Sequence, residues 1–316
     1  MDLRQPGAPA PLCPGDRVAL VAPSGPVCPG DLAPAAAAVE ALGLRPVVYP
    51  SCREQYGYLA GSDARRAADL QAAFADDSIR GILCVRGGYG AHRMLPLLDL
   101  GAIAKTPKVF CGYSDITALH IVFNQRCGFG TFHTPMPAQW SRRGLDAYTE
   151  GWLKKALFGD FAGPLQNPPG QPLTTLAGGR AQGILAGGNL SLAAAGVGTP
   201  YALIPDGRIL FLEDIGEEPY RVDRMLTQLR GAGVLSRCAG IVLGAWTDCG
   251  PDPAQPPGAG LTLAQVFADL LGDLGIPVLA GLCCGHCMPT LSLPLGAAVT
   301  LDADGQTITV HKGGTR

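Results

Sequence analysis

Between residues 15 and 112, four short apolar runs alternate with stretches long enough to be helices, and this alternation limits the architecture more than any other feature of the chain. Residues 15–24 (Gly-Asp-Arg-Val-Ala-Leu-Val-Ala-Pro-Ser) read as a β-rich run ended by Pro23-Ser24-Gly25, and residues 31–42 as an Ala-rich helix that stops near Gly43. Residues 44–49 form the second strand. Ser62 caps a helix through Phe74, with Arg65, Arg66 and Asp69 expected on its solvent side. Residues 80–85 make the third strand, a helix opens at Gly90, and Lys108-Val109-Phe110-Cys111 is the fourth strand. Strands and helices at this spacing build a parallel sheet covered on both faces. Ligands of such sheets gather outside the carboxyl ends of the strands, where Gly87-Gly88 and Ser114 fall.

The turn Gly112-Tyr113-Ser114-Asp115 joins the fourth strand to an apolar helical run over residues 116–123. A serine on a tight strand-to-helix turn projects its hydroxyl off the end of the sheet, and the amides of the helix's first turn face whatever reacts there. This is the physics of a nucleophile elbow, although the usual Gly-x-Ser-x-Gly spelling is absent. Ser-Asp before an apolar run is also an ordinary helix N-cap, so the turn alone leaves both readings open.

Past a helix over residues 141–158 the composition changes. Residues 161–176 hold Pro164, Pro168, Pro169 and Pro172 with Gly163 and Gly170, which reads as a linker. The expected division is therefore an α/β domain over residues 1–160, a linker over 161–176 and a β-rich α+β domain over 177–316. Its strands cover residues 183–185, 208–212, 240–243 and 298–301, with helices near 221–229 and 263–271. Residues 2–14 read as a frayed, Pro-containing leader without the build of a signal peptide.

Net charge is −2 and no basic stretch occurs, which argues against nucleic acid as a partner. No apolar run approaches the roughly 20 residues of a membrane helix. The 11 cysteines are odd in number, and Cys84 and Cys111 lie inside expected buried strands. That pattern points to a reducing cytoplasm rather than a disulfide framework.

A serine hydroxyl needs a base, and the base must be held. Of the five histidines, His92 opens an exposed helix, His311 sits by the terminus, and His120 lies on the serine's own helix, projecting away from the turn. His286, in the loop Cys283-Cys284-Gly285-His286-Cys287 after an apolar strand over residues 276–280, is the base candidate; a loop histidine without a task is the competing reading. An orienting carboxylate is available where the buried run Ile209-Leu210-Phe211-Leu212 ends in Glu213-Asp214, with Glu217 and Glu218 as alternatives. Gly87-Gly88-Tyr89-Gly90 lacks the spacing of a nucleotide loop. Backbone amides approaching an oxyanion suit it better, with Gly87 or Gly88 paired to the amide of Asp115. The cysteine–histidine run is a possible zinc ligand set, but a second separated pair is missing, so packing is the expected role and no metal is assigned.

In this order the motifs resemble the LD-carboxypeptidase (muramoyl-tetrapeptide carboxypeptidase) family of serine peptidases over nearly the whole chain. The matching segments are Val21-Ala22-Pro23-Ser24-Gly25, Val85-Arg86-Gly87-Gly88-Tyr89-Gly90, Cys111-Gly112-Tyr113-Ser114-Asp115-Ile116-Thr117 and Gly187-Gly188-Asn189-Leu190. They continue with Leu212-Glu213-Asp214-Ile215-Gly216-Glu217, Pro219-Tyr220-Arg221-Val222-Asp223-Arg224-Met225-Leu226, Gly285-His286 and Leu293-Pro294-Leu295-Gly296. The resemblance implies a Rossmann-like or flavodoxin-like domain joined to a β-rich domain with the active site between them. It implies a Ser114-Glu213-His286 triad, no cofactor, and a muropeptide tetrapeptide in cytoplasmic peptidoglycan recycling as substrate. The oxyanion would rest on the amides of Asp115 and Gly88 or Gly87. Arg86, Tyr89 and Arg221 are candidates for holding substrate, the arginines for its terminal carboxylate. A homodimer is implied as well. Cys283, Cys284 and Cys287 depart from the family pattern. Two other readings stay open: a microcin-immunity-like hydrolase of aminoacyl nucleotide conjugates, and a non-catalytic module that grips a small ligand.

Overall fold

The structure, a computed structural model, describes residues 6–159, 161–252, 254, 256, 258 and 260–311. These residues divide into two units: 6–159 with 292–296, and 161–291 with 297–311.

In the first unit, strands β1 (Arg17–Val21), β2 (Arg45–Val48), β3 (Ile79–Cys84), β4 (Val109–Gly112) and β5 (Thr131–His133) pair in the order β2-β1-β3-β4-β5, all parallel. This is the flavodoxin-like strand order. Apolar runs become central strands because both faces are covered. On one face Val18, Leu20, Leu83 and Val109 pack with Ala35 and Val39 of the helix Leu32–Ala41 and with Leu153 and Leu157. On the other, Phe74 contacts the rings of Phe110, Phe123 and Phe129. Burying each such ring contributes roughly 2–3 kcal/mol.

Ser62 accepts from the Arg65 amide and caps the helix Asp63–Ala75. Arg66 and Asp69, expected on the solvent side of this helix, are 1% and 4% exposed instead. Backbone from strand-end loops reaches each: Arg66 donates to the carbonyls of Pro23 and Gly90 and pairs with the Asp63 carboxylate, and Asp69 accepts from the Ser51 amide. Residues 6–14 are not a frayed leader either. Leu12 is in the core and donates its amide to Leu157, while Gly7 bridges to Phe129; residues 2–5 lie outside the described residues. The helix expected over 141–158 is two helices, Pro137–Arg143 and Ala147–Phe158, because Asp146 caps the second through the Thr149 amide.

In the second unit one mixed sheet carries β6 (Gly163–Pro164), β7 (Thr174–Ala177), β8 (Arg180–Asn189), β9 (Arg208–Ile215), β10 (Gly240–Thr247) and β11 (Val278–Ala280). After the strand Leu293–Leu295 (β12), β13 (Ala298–Asp302) and β14 (Thr307–Val310) complete it, in the order β6-β14-β13-β8-β9-β10-β11-β7. Its centre, β8 to β11, is parallel, and the helices Leu190–Ala195, Pro219–Gly231 and Leu263–Leu271 make the crossovers. Its flanks are antiparallel. The proline-rich stretch contributes both of its short edge strands, β6 and β7. Strand β12, by contrast, leaves this sheet and pairs antiparallel with β5 in the first unit. Among the described residues no helix is long and apolar enough to cross a membrane.

Candidate active site

Ser114 sits where β4 ends and a short 3-10 turn, Ser114–Ile116, leads into the helix Thr117–Val122. Its φ is +65°, a left-handed conformation that non-glycine residues rarely hold. Such a residue costs on the order of 1–3 kcal/mol and persists only where its surroundings over-determine it. The surroundings are tight. The Gly112 carbonyl accepts from both the Thr134 amide and His120 Nε2, each near 3 Å. A Cβ on Gly87 would stand 2.9 Å from Ser114 Cβ and 3.1 Å from its Oγ, so only glycine lets these two loops approach so closely.

His120, expected to project away from the turn, reaches back to brace it. A carbonyl only accepts, so Nε2 carries the proton and Nδ1 accepts from Thr131 Oγ1 at 2.9 Å. Burial pulls its pKa down to about 4. His92 is half-buried rather than exposed, and burial lowers its pKa too.

The side chain of Asp115 does more than its amide was singled out for. It is 1% exposed, and Oδ2 accepts from Ser24 Oγ at 2.5 Å and from the Ala91 amide at 2.8 Å. Burial raises its pKa, opposed by those two hydrogen bonds. Ser24 and Ala91 were not foreseen as partners. The available signal was that Ser24, Gly87-Gly88 and Ser114 all follow carboxyl ends of parallel strands, which a doubly wound sheet brings to one edge.

Glu213 and His286 meet in the second unit. Glu213 lies near the end of β9 and is fully buried; its Oε2 accepts from His286 Nδ1 at 2.7 Å and from the His286 amide at 3.1 Å. A carboxylate only accepts, so in the neutral ring Nδ1 holds the proton and Nε2 is the basic nitrogen. Gly285, with φ of +115°, permits this: a Cβ there would fall 2.4 Å from Glu213 Oε2. The neighbouring Asp214 takes a different task, accepting from Asn189 Nδ2, the Ser191 amide and Ser191 Oγ, and so pins the Gly-Gly-Asn segment.

The histidine loop is braced from several sides. Thr247 Oγ1 donates to the His286 carbonyl at 2.7 Å, and the Ala245 amide to the Cys284 carbonyl at 2.9 Å. Asn167, from the proline-rich stretch, donates to the Gly281 carbonyl at 2.7 Å and accepts from the Cys283 amide at 2.8 Å. Nothing in the sequence distinguished Asn167, because its partners lie 114 and 116 residues away. Cys283 Sγ donates to Gln171, Cys284 is buried, and burial raises the Cys287 pKa to about 11. Among the described residues no three His, Cys, Asp or Glu side chains are grouped to hold a metal ion.

Of the candidate substrate residues, Arg86 and Tyr89 line a cleft of about 620 Å³ in the first unit with Gly25, Gln55, Tyr58 and Gly88. No lining residue is acidic. Arg86 donates to the Pro26 carbonyl at 2.9 Å, and Tyr89 meets Tyr58 edge to face. Arg221 lies in the second unit, exposed and already shared between Glu217 and Glu218, at 3.9 and 3.6 Å.

Residues 18–134 match the family described as the LD-carboxypeptidase N-terminal domain, and residues 182–301 the LD-carboxypeptidase C-terminal domain. A Bacillus subtilis protein named "Probable murein peptide carboxypeptidase" is 39% identical, covering 96% of this chain and 94% of its own. A solved muramoyltetrapeptide carboxypeptidase from Oxalobacter formigenes is 29% identical with a TM-score of 0.79, covering 94% of this chain and 99% of that one. A MccF-like protein from Bacillus anthracis is 25% identical with a TM-score of 0.84, covering 96% and 99%. Both family matches and the carboxypeptidase relatives set the non-catalytic module aside: the chain belongs to the LD-carboxypeptidase family and is a hydrolase of the serine carboxypeptidase type.

Proposed function

We propose that the protein releases the terminal D-alanine from muropeptide tetrapeptides, with Ser114, Glu213 and His286 acting as a triad. The observation that carries this reading is the Glu213–His286 pair, a buried carboxylate fixing the tautomer that leaves Nε2 basic. Ser114 Oγ attacks the carbonyl of the L,D bond while His286 Nε2 takes its proton, and Glu213 stabilises the imidazolium. The amides of Asp115 and Gly88 or Gly87 hold the oxyanion. His286 then protonates the departing D-alanine amine, and water hydrolyses the acyl-enzyme. Arg86 takes the substrate's terminal carboxylate beside Tyr89, in a cleft without acidic residues. The names of the relatives support a murein-derived substrate; cytoplasmic peptidoglycan recycling and a homodimer belong to the same reading, as the family resemblance implies them.

The test is mass spectrometry of a disaccharide tetrapeptide after incubation. Loss of one alanine, absent with Ser114→Ala, supports the reading; an unchanged substrate overturns it. The likeness to the MccF-like structure favours one second reading, hydrolysis of an aminoacyl nucleotide conjugate. Faster turnover of an aminoacyl-sulfamoyl adenylate than of the tetrapeptide would establish that instead.

A further inference from the structure

Three strand-end loops of the first unit converge on one carboxylate. Asp115 follows Ser114 directly, and its Oδ2 takes the Ser24 hydroxyl from the loop after β1 and the Ala91 amide from the helix after the glycine turn. Ser24 is 0% exposed and Asp115 1%, so neither hydrogen bond exchanges readily with water. The same loops are tied a second time by the Gly25 amide, which donates to the Gly87 carbonyl at 3.0 Å. Arg66 ties them a third time, donating to the carbonyls of Pro23 and Gly90. Within this lattice only Asp115 is covalently joined to the strained residue. The Thr117 amide closes the turn on the Ser114 and Asp115 carbonyls from within, while Ser24 and Ala91 hold the Asp115 side chain from other strand-end loops, so that the serine's φ of +65° is over-determined.

We propose that the Asp115 carboxylate, anchored by Ser24, is a positioning group that holds Ser114 in its left-handed conformation and aims both the serine hydroxyl and the Asp115 amide. The proposal rests on the reading of Ser114 as the nucleophile. Releasing the carboxylate frees the turn to relax, and displacement of the attacking atom by about 1 Å costs on the order of 10²-fold in rate.

The test measures the rate at which a fluorophosphonate probe labels Ser114, followed by intact-protein mass spectrometry, in the full chain. Ser114→Ala is the control, and thermal unfolding is recorded for every variant. Asp115→Ala is expected to label about 10²-fold more slowly while still unfolding cooperatively. Asp115→Asn, which keeps an acceptor, falls between it and the parent. Ser24→Ala, which removes a single hydrogen bond to the carboxylate, labels about tenfold more slowly. On the tetrapeptide the loss appears in kcat with KM within about twofold, since the substrate's contacts remain. A purely structural aspartate would lower the unfolding temperature and leave the labelling rate of the folded fraction at the parental value. That outcome, in Asp115→Asn or Ser24→Ala even if Asp115→Ala fails to fold, overturns the proposal. A parent that labels no faster than Ser114→Ala overturns the nucleophile reading itself.

Discussion

His286 presents two donors to one oxygen of Glu213: its ring Nδ1 lies 2.7 Å and its own amide 3.1 Å from Oε2. The carboxylate thus fixes the ring's tautomer and the loop's backbone together. Glu213→Gln keeps the shape but offers an amide that can donate to Nδ1, which would place the ring proton on Nε2. Turnover on a muropeptide is expected to fall on the order of 10²–10⁴-fold while circular dichroism stays unchanged. A Glu213→Gln enzyme near parental activity, alongside an inactive Glu217→Gln, would transfer the orienting role to Glu217.

Gly285 makes that contact possible. Gly285→Ala puts a methyl 2.4 Å from Glu213 Oε2 at a φ of +115°, so the carboxylate or the loop must shift. A stability loss of about 1–3 kcal/mol, read from chemical denaturation, should accompany a large fall in kcat.

The strain at Ser114 reverses a usual preference. Alanine normally stabilises relative to glycine, yet at φ +65° glycine adopts the conformation without a Cβ penalty. Ser114→Gly is expected to be more stable than Ser114→Ala by about 1 kcal/mol, with both inactive. Equal stability, or alanine ahead, would show that the turn relaxes once the serine is gone.

Asn167→Ala removes two bonds to the histidine loop, to the Gly281 carbonyl and from the Cys283 amide. A loss of about 1–3 kcal/mol should be visible in urea unfolding, with kcat reduced and the Ser114 labelling rate less affected. Unchanged kinetics would reduce Asn167 to a surface contact.

His120 sets an acid limit on the first unit. Its folded pKa of about 4 lies below the ordinary value of 6.5. Above pH 6.5 the ring is neutral in both states and its burial carries no proton penalty. As the pH falls from 6.5 to 4 the unfolded chain takes up a proton that the folded one refuses, and stability is lost by up to ~3 kcal/mol. Denaturation at pH 7.5 and pH 5 should show that loss, and His120→Gln should flatten it. An equal slope in the variant would assign the acid sensitivity to another group.

The sequence by itself determined the alternating architecture and the strand-to-helix turn that carries Ser114. Apolar runs of strand length, Ala-rich helices and turn residues such as Ser62 and Gly112 express their preferences through neighbours within a few residues, so β2 to β4 fall within one residue of their expected places and β1 lies inside its expected run. The strand-ending carboxylate Glu213 and the loop histidine His286 were likewise visible as residue types in suitable places. Tertiary structure decided what long-range partners control. Arg66 and Asp69 look like solvent-facing charges until Pro23, Gly90 and Ser51 bring backbone groups to them, beside the local pairing of Arg66 with Asp63. Asp115 looks like a helix cap until Ser24 arrives from another strand end, and Asn167 looks like linker until it meets Gly281 and Cys283. Strand β12 follows a loop of the second unit, yet completes the first sheet, because the edge of β5 offers unpaired backbone that only the folded sheet exposes. Local propensity acts along the chain and is legible there; burial with a specific distant partner is a property of the packed molecule.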